Sequence, residues 1–159
     1  MKKILVAVTF LTIAFSHTGL AQNTAQESLL PALLSNYLNI KNALVAGNAA
    51  NASVSAGDFI KTLNGIDYKV ISEGNINALL KDAGVIFDSK DISRQRIVFS
   101  HFSDNMIAVA KAVKLSDKEV YVAYCPMKKA SWLSVEKSIR NPYYGSSMLT
   151  CGSVKETLK

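Results

Sequence analysis

The sequence predicts a mainly α domain, an up-and-down four-helix bundle closed by an irregular C-terminal cap that contains one short strand. Three observations point there. Apolar residues recur at three- and four-residue intervals in four successive segments between about 28 and 114, the spacing of helices that bury one face. The connections between those segments are short, which suits antiparallel neighbours. Beyond Lys114 the periodicity changes, and turn-forming pairs such as Cys125-Pro126, Asn141-Pro142 and Tyr144-Gly145 become dense.

The elements follow in order. Met1-Lys2-Lys3, an apolar run from Ile4 to Phe15 and the small residues Gly19 and Ala21 have the form of a secretory signal peptide over residues 1–21. Thr9 and Thr12 interrupt the run well short of the roughly twenty apolar residues a membrane span requires. A single domain over 22–159 is therefore expected, exported to the periplasm or beyond after cleavage near Ala21, with its bundle at about 28–114 and its cap at about 115–159. Leu30, Leu33, Leu34, Tyr37, Leu38, Leu44 and Val45 outline the first helix, with Pro31 in its opening turn and Gly47 as its stop. Asn48 caps a second helix that ends at Asn64-Gly65. Ile76, Leu79, Leu80, Ala83, Ile86 and Phe87 outline a third, weakened by Gly74 and Gly84. The fourth has the clearest seam: Ile92, Gln95, Phe99, Phe102, Met106, Val109 and Val113. In the cap, Glu119–Tyr124 alternates as a strand does, and a short helix fits near Ser134–Ile139.

Composition excludes several function classes. The net charge of +6 includes Lys2 and Lys3 of the leader, and the remaining lysines are dispersed, without the aromatic interleaving of a nucleic-acid groove. No nucleic-acid partner and no membrane span are expected. A glycine-rich phosphate loop, a Gly-x-Ser-x-Gly elbow, a His-Glu-x-x-His motif and a Cys-x-x-Cys motif are all missing from the sequence, so catalysis is not expected.

The recognisable chemistry lies in Cys125-Pro126-Met127 and Met148-Leu149-Thr150-Cys151, which hold both cysteines and two of the four methionines. Two thiols and two thioethers suit a soft cation, Cu(I) above all, whereas a hard ion prefers carboxylates. Residues two apart on an extended segment point to one side, and residues three apart share a helical turn or a tight knuckle, so each pair can clamp an ion locally. His101, on the fourth helix, is a further candidate ligand beside its plainer reading as an exposed polar residue. The competing reading is structural. In an oxidising compartment Cys125 and Cys151 form a disulfide, no cofactor is bound, and closing a loop of this size contributes about 3 kcal/mol. Met127 and Met148 then merely fill gaps. Trp132, Tyr143 and Tyr144 read as the cap's small core more readily than as a cation cage.

The runs Tyr124-Cys-Pro-Met127, Trp132-Leu-Ser134, Ile139-Arg-Asn-Pro-Tyr-Tyr-Gly145 and Met148-Leu-Thr-Cys-Gly152 resemble a bacterial exported family, the domain of unknown function 3347. Upstream, Tyr37-Leu-Asn-Ile-Lys-Asn-Ala-Leu44, Arg96 with Phe99, and Ser103-Asp-Asn-Met-Ile107 are similar to it as well. The resemblance implies a four-helix domain that occurs alone or joined to adaptor subunits of heavy-metal efflux pumps. It thereby implies metal handling, copper in particular, with an efflux adaptor or another envelope protein as partner. It brings no catalytic residue set.

Overall fold

The computed structural model describes the backbone from Thr18 to Lys159 and the side chains of Gln26 and of Ser28 onward. The signal-peptide reading of residues 1–21 thus lies, apart from the backbone of Thr18–Ala21, outside the described residues. Four helices, α1 (Thr18–Val45), α2 (Ala49–Leu63), α3 (Glu73–Asp88) and α4 (Ile92–Ala112), precede a small antiparallel sheet of β1 (Val120–Cys125), β2 (Ala130–Ser134) and β3 (Ser153–Leu158). The strand order is β2-β1-β3, and a single 3-10 turn, Gly145–Met148, interrupts the connection from β2 to β3.

The helix boundaries have local causes. Asn48 caps α2 by accepting from Asn51 N–H at 2.9 Å, as expected. Ser72 caps α3, and Asp91 caps α4 through Ser93 N–H at 2.8 Å. Both satisfy donors that an α-helix leaves without partners in its first turn. Pro31 is a correction. It lies inside α1 rather than in its opening turn, because the helix extends back to Thr18. The residues from Leu20 to Leu30 contain no glycine or proline, and the upstream turn is held from outside. Gln26 donates to Gly65 O at 2.9 Å and accepts from Asp67 N–H at 3.0 Å, tying α1 to the α2–α3 loop.

Each helix buries the face its spacing selects. Leu33, Tyr37, Ile40 and Leu44 meet Ala52, Ala56, Phe59 and Leu63, then Ile76, Leu79, Ala83 and Ile86, then Phe99, Phe102, Met106 and Val109. Successive helices pack on one another, α1 on α2, α2 on α3 and α3 on α4, with a lighter contact between α1 and α4. Gln95 occupies a seam position yet is polar and fully buried. Its Nε2 donates to Ala49 O, Ile86 O and Ser89 O at 2.8–3.1 Å, which pins the start of α2 and the end of α3 to α4.

The C-terminal third departs from the irregular cap expected of it. It is a sheet, in which Tyr121 pairs with Ser134 and Cys125 with Ala130 on one side, and Tyr124 pairs with Ser153 on the other. The helix expected near Ser134–Ile139 does not form. Residues 130–134 instead make β2, and Ser134 Oγ then turns the chain by bonding the N–H and O of Glu136. A six-residue helix costs more to nucleate than its few bonds return, whereas β2 gains a ladder and buries Trp132 and Leu133.

The sheet packs directly on the helices. Val122, Ala123, Trp132, Leu133 and Tyr143 join the helical core directly, and β2 rests on α4. Tyr37 Oη accepts from Leu133 N–H at 3.0 Å and pairs with Ser103 Oγ at 2.7 Å, so one buried hydroxyl links α1, α4 and β2. Arg96 spans the same junction from another side, donating to Leu44 O at 2.8 Å and to Pro142 O at 3.1 Å. An arginine bonded to two main-chain carbonyls fixes backbone to backbone, a stronger latch than an exposed ion pair.

Candidate metal centre

Strand β1 delivers Cys125 at its end, fully buried, and the chain then turns through Pro126–Lys129 into β2. The 3-10 turn at Gly145–Met148 is followed by a tight turn closed by Cys151 N–H on Met148 O at 3.1 Å, which leaves Cys151 half-buried just before β3. The β1–β3 ladder carries these two segments alongside each other. Cys125 Sγ and Cys151 Sγ lie 3.6 Å apart, in contact and not bonded.

The electrostatics distinguish the two sulfurs. Burial is the largest influence on Cys125 and opposes its ionisation. The polar surroundings at Lys128, Asn141, Cys151 and Met127 work against it, and together they lower its pKa below the ordinary thiol value. Cys151 shifts the other way: its hydrogen bond to Cys125 raises its pKa, with burial and the neighbouring charge adding to the effect. Of the two thiols, Cys125 is thus the more readily ionised and Cys151 the less.

The other residues singled out by the sequence are placed less tightly. Met127 sits on the β1–β2 turn with 66 % of its surface exposed, and Met148 is half-buried at the end of the 3-10 turn. His101 is exposed on α4, where its electrostatic neighbours are Asp82 and Asp104. Burial raises the pKa of both carboxyls, and His101 pulls each of them back down. Among the described residues no group of three His, Cys, Asp or Glu is positioned to hold a metal ion. Trp132 and Tyr143 are core residues, their rings edge-to-face at 5.9 Å, and the Lys155 ammonium sits over Tyr124 rather than over either of them.

One residue of the site was not singled out in the sequence. Asn141 reads there only as half of an Asn-Pro turn, yet it is fully buried and its carboxamide donates to Cys151 O at 2.8 Å. The available signal was the known capacity of Asn to bond main chain two residues on, and Oδ1 does accept Tyr143 N–H at 2.8 Å.

No curated protein and no solved structure matches the chain. A family model described as "Protein of unknown function (DUF3347)" matches residues 33–118, from the second half of α1 through α4 to the threshold of β1. Cys125 and Cys151 thus lie on the C-terminal side of the matched span. With more than half of its length matched, the chain belongs to that family of proteins of unknown function.

Proposed function

We propose that this is an exported, soft-metal-binding domain that takes Cu(I) on Cys125 and Cys151, with Met127 and Met148 as thioether ligands, for periplasmic metal handling or efflux. The contact of the two sulfurs at 3.6 Å carries this reading. Thiolate bonds to a metal of this size run to about 2.3 Å, so one ion can touch both sulfurs without a large movement of either segment. The donor set is soft throughout, and the pKa of Cys125 is shifted in the direction that eases the proton loss a metal requires. Thioethers add ligands that need lose no proton. The partner is read as a heavy-metal efflux adaptor or another envelope protein, and the protein as a binding domain rather than an enzyme. The successive packing of α1 to α4 supports an up-and-down bundle as its scaffold.

The same contact favours a second reading, a disulfide-stabilised interaction module of an envelope complex that binds no metal. A disulfide would require the sulfurs to close from 3.6 Å to about 2.05 Å, a movement a turn can supply.

Protein purified from its native compartment separates the two readings by thiol alkylation with mass spectrometry and metal analysis. The metal reading expects alkylatable thiols and uptake of Cu(I) after mild reduction. Met127→Leu and Met148→Leu are each expected to weaken uptake about tenfold, roughly 1.4 kcal/mol, with the fold unchanged. Fully oxidised cysteines with no Cu(I) uptake after reduction would establish the disulfide reading instead.

A further inference from the structure

Asn141 uses every polar atom it has. Its backbone N–H donates to Leu149 O at 2.8 Å and its backbone O accepts from Gly145 N–H at 3.0 Å. Oδ1 accepts from Tyr143 N–H, and Nδ2 donates to Cys151 O at 2.8 Å. One planar group thus ties the main chain of Cys151 to that of Tyr143.

Besides Asn141, Cys151 has one main-chain bond, from its own N–H to Met148 O at 3.1 Å. The β1–β3 ladder begins with Tyr124 opposite Ser153, so Cys151 precedes the paired residues and is not held by them. Gly152, at φ +142°, joins Cys151 to the strand through a conformation that side chains rarely adopt. Cys125, by contrast, is fixed by its pairing with Ala130. Of the two sulfurs, the one that needs positioning is Cys151.

We infer that Asn141 is the positioning residue of the dithiol, its carboxamide holding the Cys151 main chain in the turn so that the Cys151 sulfur stays against that of Cys125, within reach of one ion or one bond. The inference rests on the proposed function where the ion is concerned; the proximity of the sulfurs can be measured without any metal. The probe is glutathione. One cysteine attacks glutathione disulfide, forming a mixed disulfide and releasing one glutathione thiolate. The other cysteine attacks the protein sulfur of that mixed disulfide, forming the Cys125–Cys151 bond and releasing the second thiolate. Two electrons pass to glutathione disulfide, and the two protons of the dithiol complete two glutathione thiols. The equilibrium constant of this exchange has units of concentration and reports how closely the fold holds the two sulfurs.

Asn141→Ser keeps a short side-chain oxygen for Tyr143 N–H and removes the amide that donates to Cys151 O. Its equilibrium constant is expected to fall tenfold or more, about 30 mV for a two-electron couple. A fall in melting temperature with an unchanged constant would overturn the inference, because a purely structural role predicts that pattern. The wild-type chain supplies an arm that no folding defect can blunt. The two Nδ2 protons of Asn141 are expected to shift in NMR spectra when Cys125 and Cys151 are oxidised, and unmoved resonances would overturn the assignment. Cu(I) titration of the same samples keeps the two proposals separable. A wild-type chain that takes up no Cu(I) while Asn141→Ser still shifts the glutathione equilibrium removes the metal function and upholds Asn141 as the positioning residue.

Discussion

Phe102→Ala is expected to lower unfolding free energy by about 3–5 kcal/mol, the range for removing a large ring from a packed core. Phe102 is fully buried on α4, with its ring centroid 4.8 Å from Phe59 on α2 and 5.6 Å from Tyr37 on α1. Edge-to-face and tilted aromatic pairs contribute about 0.5–1.5 kcal/mol each beyond the area they bury. The rings continue from Phe102 to Phe99 and from Phe99 to Tyr143 and Trp132, so the void opens where the bundle meets the sheet. Total stability of a domain this size is about 5–15 kcal/mol, and one substitution consumes a large share of it. Urea unfolding followed by far-ultraviolet circular dichroism checks this. A loss below about 1 kcal/mol would show that Phe102 does not anchor the junction.

Gly145→Ala is expected to destabilise by about 2–5 kcal/mol although it adds a single methyl group. Gly145 has φ +54°, which costs an L side chain about 1–2 kcal/mol. A Cβ built there would lie 2.9 Å from Val45 O and would overlap the Arg96 guanidinium. Val45 O is backbone and cannot swing away. Arg96 is bonded to Leu44 O and Pro142 O, so moving it releases the latch between α1 and the segment that carries Asn141. Overpacking of that kind adds about 1–3 kcal/mol. Gly74→Ala is the matched control. It lies in α3 with nothing within 4 Å of the added Cβ, and it should stabilise by about 0.5–1 kcal/mol. Thermal unfolding of the two variants side by side decides the matter; equal and small shifts would contradict the role given to Gly145.

The helices were legible because their signals are local. Three- and four-residue spacing selects the buried faces of α1 to α4, and Asn48 announces the start of α2 through its own side chain. Pro31 misled about the start of α1, since what tolerates it is the distant contact of Gln26 with Gly65 and Asp67. The sheet was only one-third legible. β1 alternates in sequence, whereas β2 is short enough to read as the start of a helix and β3, at Ser-Val-Lys-Glu-Thr-Leu, is an exposed edge strand with little apolar pattern. Pairing across the chain makes them strands, and residue spacing does not encode pairing. The contact of the two cysteines comes from the β1–β3 ladder, which brings together residues far apart in sequence. Asn141 was hidden for the same reason, because its partners Leu149 and Cys151 meet it only once the turn has formed.

Trp132, Leu133 and Tyr143 pack the sheet on the helical core, and Tyr37 ties β2 to α1. The proposed function gives the adjoining cysteine pair one Cu(I) ion. X-ray absorption at the copper edge, on reduced protein loaded with one equivalent of Cu(I), tests that claim most directly. The account predicts a nearest shell of sulfur alone, lost in Cys125→Ser. A shell of oxygen and nitrogen, or no uptake at all, would contradict it.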